Sequence, residues 1–398
     1  MEIPMTRMQR EAMALPHVFP WTGLLCLAAA GFITIITEAL PAGLLPTMSA
    51  SLGVSEALIG QLVTVYALGS VLAAIPVVAH TRRFNRRPLL LTAIAGFAVA
   101  NTITALSGSY ALILAARFVA GVSGGLLWAL VAGHALRMVP GEQQGRAMAV
   151  ALVGAPLALS LGIPAGTWLG NAIGWRATFG IMSAFSVGLF AWARFALPDY
   201  PGLANPGPLR LRKVIALPGV AQVLGTLLVF ILAHNIIYTY IAPLVTMAGA
   251  GAAVDRYLLV FGLASVAGIW LAGAYGDAHM RRLVLGGVVG FLASALAIAV
   301  FPHVLPVLVV ALAVWGVGFG ATPTLLQTAL ARNAGESADV AQSLLVTGWN
   351  LALALGGIVG GAVLDRAGAG ALAWSTLPLI VAALAIAWRP AAWRRPAA

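Results

Sequence analysis

Long apolar runs separated by short polar breaks recur from residue 21 to residue 388. Twelve can be marked, near residues 21–45, 57–79, 88–107, 110–139, 145–170, 175–197, 215–246, 255–276, 282–301, 304–330, 338–364 and 370–388. Each is close to or above the roughly 20 apolar residues that a helix needs to cross a bilayer. A helix is the predicted element, because hydrocarbon offers the backbone no partner outside its own segment; no short alternating runs suggest a barrel. Most of the breaks are too short to hold a soluble domain. The pattern predicts an all-α polytopic membrane protein with twelve transmembrane helices.

Composition supports that reading and adds information mainly through the charges. Of 398 residues, 61% are hydrophobic and 8% charged, and the mean hydropathy is +0.98, which belongs to an integral membrane protein. A formal charge of +11 would suit nucleic acid if it formed one contiguous face. It does not. With the N-terminus inside, Arg7, Arg10, Arg82, Arg83, Arg86, Arg87, Arg137, Arg146, Arg194, Arg210, Arg212, Lys213, Arg281, Arg282, Arg332, Arg389, Arg394 and Arg395 fall on the inner side. Only Arg176, Arg256 and Arg366 fall on the outer side. That asymmetry predicts both termini in the cytoplasm, with membrane lipid rather than nucleic acid as the neighbour of the arginines. The run after Arg7 and Arg10 is too long for a signal-peptide core and is expected to be retained. Cys26, the single cysteine, lies inside it and has no intrachain partner. No metal and no cofactor are expected.

The chain repeats itself. At a shift of 195 residues, Leu68, Ser70, Val71, Ala79, Arg86, Arg87 and Leu90 fall on Leu263, Ser265, Val266, Ala274, Arg281, Arg282 and Leu285 without a gap. At a shift of 194, Ala147, Gly154, Leu159, Leu161, Gly162 and Gly166 meet Ala341, Gly348, Leu353, Leu355, Gly356 and Gly360. Two related six-helix bundles are expected, at residues 1–197 and 215–398. The Pro- and Gly-rich stretch 198–214 would join them as a cytoplasmic linker. Parallel repeats with a site between them are a transporter architecture.

Five stretches carry a more specific likeness: "TEALPAGLLPTMSASLGVS", "ARFVAGVSGGLLWAL", "LGIPAGTWLGNAIGWR", "IYTYIAPLV" and "AQSLLVTGWNLALALGGIVGG". Through them the chain resembles the major facilitator superfamily, and within it the twelve-helix drug:proton antiporters, especially their sugar and nucleoside efflux branch. The resemblance implies a multi-pass protein of a bacterial inner membrane and proton-coupled efflux of a sugar, nucleoside or drug by alternating access. It also marks conformational motifs. The second half keeps the loop motif as Gly273, Asp277, Arg281 and Arg282, whereas in the first half Val78 and Arg82 stand where Gly and Asp are usual. Gly162, Gly166 and Gly170 keep the spacing of the antiporter motif, with Pro164 after the first. Small residues so spaced permit close helix packing; bending during transport is the alternative role.

One carboxylate stands apart. Of eleven acidic residues, only Glu38 is intramembrane, the rest lying in breaks, at run ends or ahead of the first run. It sits seven residues from the outer end of the first run, roughly 10 Å deep. Arg117 sits seven residues from the outer start of the fourth run, at matching depth. Each alone would be costly in hydrocarbon, and facing one another or a wet cavity lowers that cost. Burial and a neighbouring guanidinium act on a carboxyl's proton affinity in opposite senses, so movement of either can load or release a proton. Glu38 and Arg117 are therefore the candidate proton-coupling pair. A static pair fastening two helices, or a Glu hydrated from the outer interface, would leave the same pattern.

The repeat places the counterpart of Glu38 within Ala233–Asn235 of the seventh run. His234 and Tyr238, four apart, share a helical face with Asn235 beside them. With Trp349, Asn350 and Gln327 they are candidates for contact with a hydroxyl- or amide-bearing substrate, and Trp128 for cavity lining. His134 reads as a satisfied polar group near the inner end of the fourth run. Two other functions match parts of the pattern. Proton-coupled uptake uses the same fold, and residues 121–124, "GVSG", match the serine motif of intramembrane proteases, with His234 as a conceivable base. The protease pattern wants Gly three residues after the His, where Ile237 stands, and gives no reason for a two-fold repeat. The expected protein is not an enzyme, and nothing in the sequence demands more than a monomer.

Overall fold

The computed structural model describes residues 19–73, 81, 83–140, 143–202 and 211–393. The chain ends, Val78, Arg82 and the middle of the linker, 203–210, fall outside them. So does the Asp277 side chain.

Among the described residues the regular structure is helical. Eleven helices are long and apolar enough to cross a membrane. The remaining apolar run begins as α3 (Glu56–Leu72), bent by 110° from α2 (Leu45–Leu52), and its continuation over 74–80 is not described. The bend is capped locally. Gly53 takes a left-handed conformation (φ 66°) that a side chain would resist, and the Ser55 hydroxyl accepts the Leu58 N–H.

In the first half, α1 (Trp21–Gly43) leads to α2 and α3, followed by α4 (Arg86–Leu106) and α5 (Tyr110–Arg137). The fifth span is segmented into α6 (Gln144–Leu152), α7 (Gly154–Leu157), a π-helical turn at Ala158–Gly162 and α8 (Ile163–Ile173). Pro164 explains the turn. It has no N–H for the Ser160 carbonyl four residues back, and the Ile163 N–H closes a wider ring onto Ala158. The half ends with α9 (Trp175–Ala196).

After the short α10 (Leu211–Ile215), the second half opens with α11 (Val220–Thr239), which breaks at Tyr240 (φ −111°, ψ 35°) before α12 (Ile241–Met247). Pro243 cannot donate to the Thr239 carbonyl, so the helix yields there. The eighth and ninth spans run together as α13 (Val254–Val300), with one non-helical residue, His279, between them. Then come α14 (Leu305–Ala334), α15 (Ala338–Ala367) and α16 (Gly370–Trp388).

The packing repeats as the sequence does. In the first half α3 lies on α5 because Gly121 and Gly125 leave room for the carbonyls of Tyr66 and Ser70. In the second half the two legs of the repeat meet in the same way, Gly316 on the Phe261 carbonyl and Gly320 on that of Ser265. All four glycines and all four carbonyls are related by the shift of 195 residues. Gly162, Gly166 and Gly170 likewise face Ile36 and Leu40 of α1 and Leu44 just after it, while Gly356 and Gly360 of α15 face Asn235 and Tyr240 around α11. These are the two pseudo-symmetric six-helix bundles expected from the sequence.

The bundles meet along α3–α15 and along α8 and the π turn against α13. Gly262 of α13 abuts the Ser160 backbone at that turn. A polar knot crosses at the end remote from Phe19 and Trp388. The Tyr240 hydroxyl, fully buried, donates to the Gly357 carbonyl (2.8 Å), and Gln61 Nε2 reaches the Tyr240 oxygen (3.3 Å) and the same carbonyl (3.1 Å).

Candidate functional site

Pro41 shapes the site in the first half. Without an N–H it leaves the Thr37 carbonyl, four residues back in α1, with no helical donor. The Arg117 guanidinium of α5 takes that place. Nη1 donates to the Thr37 carbonyl, Nη2 to the Glu38 carbonyl (2.9 Å) and Nε to the Leu62 carbonyl of α3 (3.3 Å), with the Tyr66 ring 5.0 Å from Cζ. Arg117 is 1% exposed. Asn101 of α4 donates to the Thr37 hydroxyl (3.1 Å), so four helices are tied at one level.

The matched depth of Glu38 and Arg117 is thus realised, but not as a carboxylate–guanidinium pair. Arg117 holds the backbone of Glu38, and no hydrogen bond or ion pair of the Glu38 carboxylate occurs among the described residues. The side chain is 9% exposed. Three main-chain oxygens satisfy the fork of the guanidinium, which suits them in geometry and charge.

In the second half the corresponding level is built from rings. His234 and Tyr238 share a face of α11, with ring centroids 5.0 Å apart and planes at 21°. His234 also stacks on Phe319 of α14 (3.9 Å, 16°) and meets Trp315 (5.2 Å) and Phe261 of α13 (5.7 Å). Trp349 of α15 closes edge-on against Phe319 at 6.2 Å. Asn235 and Asn350 are buried, each donating its amide N–H to its own helix, at Ile231 (3.0 Å) and Val346 (2.9 Å).

Other candidates stand elsewhere. Trp128 is half-buried in the first bundle with its ring facing Gly31. Gln327 is exposed two turns beyond Phe319 on α14, where its carbonyl accepts from Gln342 (3.5 Å). Arg281 caps the last helix by donating to the Trp388 carbonyl (2.8 Å), favourable at a helix C-terminus, while Arg282 and Gly273 are exposed. In the first half Arg87 does the like for Leu197 (3.4 Å). There the acid comes from the start of the linker. Asp199 accepts from Asn85 Nδ2 (2.8 Å) and the Arg87 N–H (3.1 Å). Beside it Tyr200 donates to the Arg137 carbonyl (2.9 Å) and its ring meets His134. Burial holds the Tyr200 phenol above its ordinary range, with Arg137 acting weakly in the opposite sense. His134 is 1% exposed, packed against the Tyr200 ring and beside the Pro198 carbonyl.

Sequence reading missed Tyr66, Phe261, Trp315, Phe319 and the Gln61–Tyr240 knot. A signal existed for two of them. The repeat pairs Tyr66 with Phe261, so a ring stands beside the candidate level in each half.

Comparison with known proteins fits this architecture. The family model of the Major Facilitator Superfamily matches residues 27–340. A transcription regulatory protein of Pseudomonas aeruginosa is 32% identical over 87% of this chain and 88% of its own. A purine ribonucleoside efflux pump of Salmonella enteritidis is 30% identical over 96% of each chain. A probable sugar efflux transporter of Helicobacter pylori is 25% identical over 92% of each. The crystal structure of a human organic anion transporter superposes with a TM-score of 0.64 over 93% of this chain and 99% of that one, at 19% identity, which speaks for the fold. With its repeated six-helix bundles and a buried polar level in each, the chain belongs to the Major Facilitator Superfamily and is a multi-pass membrane transporter related to efflux pumps.

Proposed function

We propose that the protein exports a small organic solute, such as a sugar, nucleoside or drug, in exchange for protons, with Glu38 as the proton-carrying group. One observation carries the reading. Glu38 is the intramembrane carboxylate, it is 9% exposed, and among the described residues its side chain makes no hydrogen bond or ion pair, although the Arg117 guanidinium is close enough to act on it through space. A structural carboxylate at that depth would be expected to pair, since an unpaired charge is costly there. An uncommitted one can exist neutral and discharge when water or substrate reaches it.

Arg117 is the modulator. Clamped on the Thr37 and Glu38 carbonyls, it presents a positive charge whose distance from the carboxylate changes when the Glu38 side chain turns or when α1 and α5 move relative to each other. Protonation of Glu38 then favours reorientation, and arrival of solute from the inner side favours release of the proton. In this reading His234, Asn235, Tyr238, Trp349, Asn350 and Trp128 contact the solute during the cycle, a role supported by the buried polar and aromatic side chains of His234, Asn235, Tyr238 and Asn350. The excess of arginines on one side supports an inner-membrane setting with both termini and the linker in the cytoplasm. Linkage requires solute and proton to lower each other's affinity.

The test is proton release on adding solute to purified protein in weakly buffered solution, screened over pentoses, hexoses, nucleosides and lipophilic cations. The native protein should release a proton with at least one of them, and Glu38→Gln should bind that solute without release. Release by Glu38→Gln would place the carrier elsewhere.

A further inference from the structure

The repeat provides an internal control for the buried level, and at one position the halves differ by a single oxygen. Tyr66 of α3 and Phe261 of α13 are counterparts, and each sets its own carbonyl on a glycine of the next leg, Gly121 or Gly316. A ring is what packing uses there. The hydroxyl belongs to the first half alone, as do Arg117, whose counterpart is Leu312, and Glu38, whose counterpart falls within Ala233–Asn235. Room is kept for it as well. A side chain at Gly124 would strike the Tyr66 hydroxyl, whereas the counterpart of Gly124 is Phe319.

That hydroxyl is weakly used where it stands. Tyr66 is 0% exposed, and among the described residues its O–H reaches only the Thr34 carbonyl, at 3.5 Å. A buried phenol ordinarily has a full hydrogen bond. The Thr34 carbonyl lies one turn before Glu38 in α1 and is the helical acceptor of the Glu38 N–H. The hydroxyl is therefore within one side chain's reach of the carboxyl group, and the two are close enough to act on each other through space. Arg117 lies over the same ring, yet its Nε, Nη1 and Nη2 are spent on the Leu62, Thr37 and Glu38 carbonyls. The guanidinium supplies charge; the phenol can supply a hydrogen bond to the carboxylate oxygen.

We infer that Tyr66 is a positioning residue for proton exchange at Glu38, its hydroxyl turning from the Thr34 carbonyl to the Glu38 carboxylate when the proton leaves and back when it returns. The phenol keeps its own proton throughout, and the exchanged proton passes between Glu38 and water. A hydrogen bond to an ionised acceptor is about twice as strong as one between neutral groups, so the hydroxyl favours the ionised carboxylate. The other titratable or charged side chains facing this level are Arg117 on α5 and, from the second bundle, His234 and Tyr238 on α11, which stack on one another. This deepens the export reading and rests on Glu38 being the proton carrier, though not on the solute or the direction of transport.

Infrared difference spectra of the purified protein, taken through a pH titration, test it without any solute. The carboxyl C=O band that is missing from Glu38→Gln identifies the group. Tyr66→Phe, which keeps the ring that the second half also has, should move the midpoint of that band upward by about one pH unit, a tenfold rise in proton affinity. Tyr110→Phe removes a hydroxyl that joins the same two helices at their outer end, by donating to the Leu58 carbonyl (2.7 Å), and should leave the midpoint in place. In the native protein a tyrosine band should change with the same midpoint and be absent from Glu38→Gln, a readout that stands even if Tyr66→Phe fails to fold. An unchanged or lowered midpoint in Tyr66→Phe, an equal shift in Tyr110→Phe, or a Glu38 titration with no tyrosine band overturns the role; a Glu38 band that never titrates overturns it together with the carrier reading. If both bands titrate together but no solute releases a proton, the exchange reading falls and the positioning role stands. Proton release that is lost in Glu38→Gln yet keeps its pH dependence in Tyr66→Phe does the reverse.

Discussion

Pro41 lacks an amide hydrogen, and that one missing donor lets Arg117 act as a tie rather than as the partner of a carboxylate. The two intramembrane charges should therefore respond differently to removal. Arg117→Met leaves the Thr37 carbonyl without a donor and unties α1 from α3 and α5, a loss of about 1–3 kcal/mol for a buried group stripped of its partner. Glu38→Gln breaks no side-chain hydrogen bond among the described residues and should leave the unfolding temperature in detergent unchanged. Melting curves of the two variants check this. Equal destabilisation by both would mean that the carboxylate is a structural partner after all. Gln there also removes the site of protonation, so a variant of native stability without proton release would isolate the carrier role from folding.

Between helices, the glycines sort by what they touch. A methyl group at Gly121 or Gly316 meets a main-chain carbonyl, that of Tyr66 or Phe261, which cannot move without its helix. At Gly166 it meets a Leu40 methyl group, which can turn away, and at Gly273 it meets nothing. Gly121→Ala and Gly316→Ala should each cost about 1–3 kcal/mol as overpacking. Gly166→Ala should cost clearly less, and Gly273→Ala should be neutral. Thermal melts of the four variants give the order; if Gly166→Ala equals Gly121→Ala, the stripe on the fifth span has a role beyond packing. Much of this was legible beforehand. The spacing of Gly162, Gly166 and Gly170 announces a packed face, and the repeat announces its partner at Gly356 and Gly360. Which helix fills that face was not legible, because small residues at a spacing of four accept any neighbour.

At the scale of the molecule, the Gln61–Tyr240 knot links the bundles at one end, and the proposed alternating-access cycle would require it to part. Tyr240 is placed for this by the break at Pro243, and Gly60 and Gly361 leave room for its ring. Tyr240→Phe removes the hydroxyl's bond to the Gly357 carbonyl while keeping the ring. Thr64, buried against Gly357 beneath the knot, reports on its opening. In a Cys26→Ser background, a cysteine replacing Thr64 should react slowly with a water-soluble maleimide, and about tenfold faster once Tyr240→Phe is added, as expected for loss of roughly 1–1.5 kcal/mol of hydrogen bonding. An unchanged rate would show that the knot does not limit opening.

Hydrophobic run length determined the spans, since a bilayer fixes how many apolar residues a helix needs, and self-similarity at 195 residues determined the two bundles. Basic-residue bias and the single deep carboxylate were equally local, and so were open to counting. Contacts were another matter. Depth counting brought Glu38 and Arg117 to one level without telling side chain from backbone, because the deciding fact is a carbonyl freed by Pro41 and reached from another helix. The aromatic level of the second bundle draws its rings from residues 234 to 349, and their convergence depends on how four helices rotate about their axes. Apolar periodicity leaves that rotation open in a membrane, where lipid-facing and core-facing positions are alike hydrophobic, and only interhelical packing fixes it.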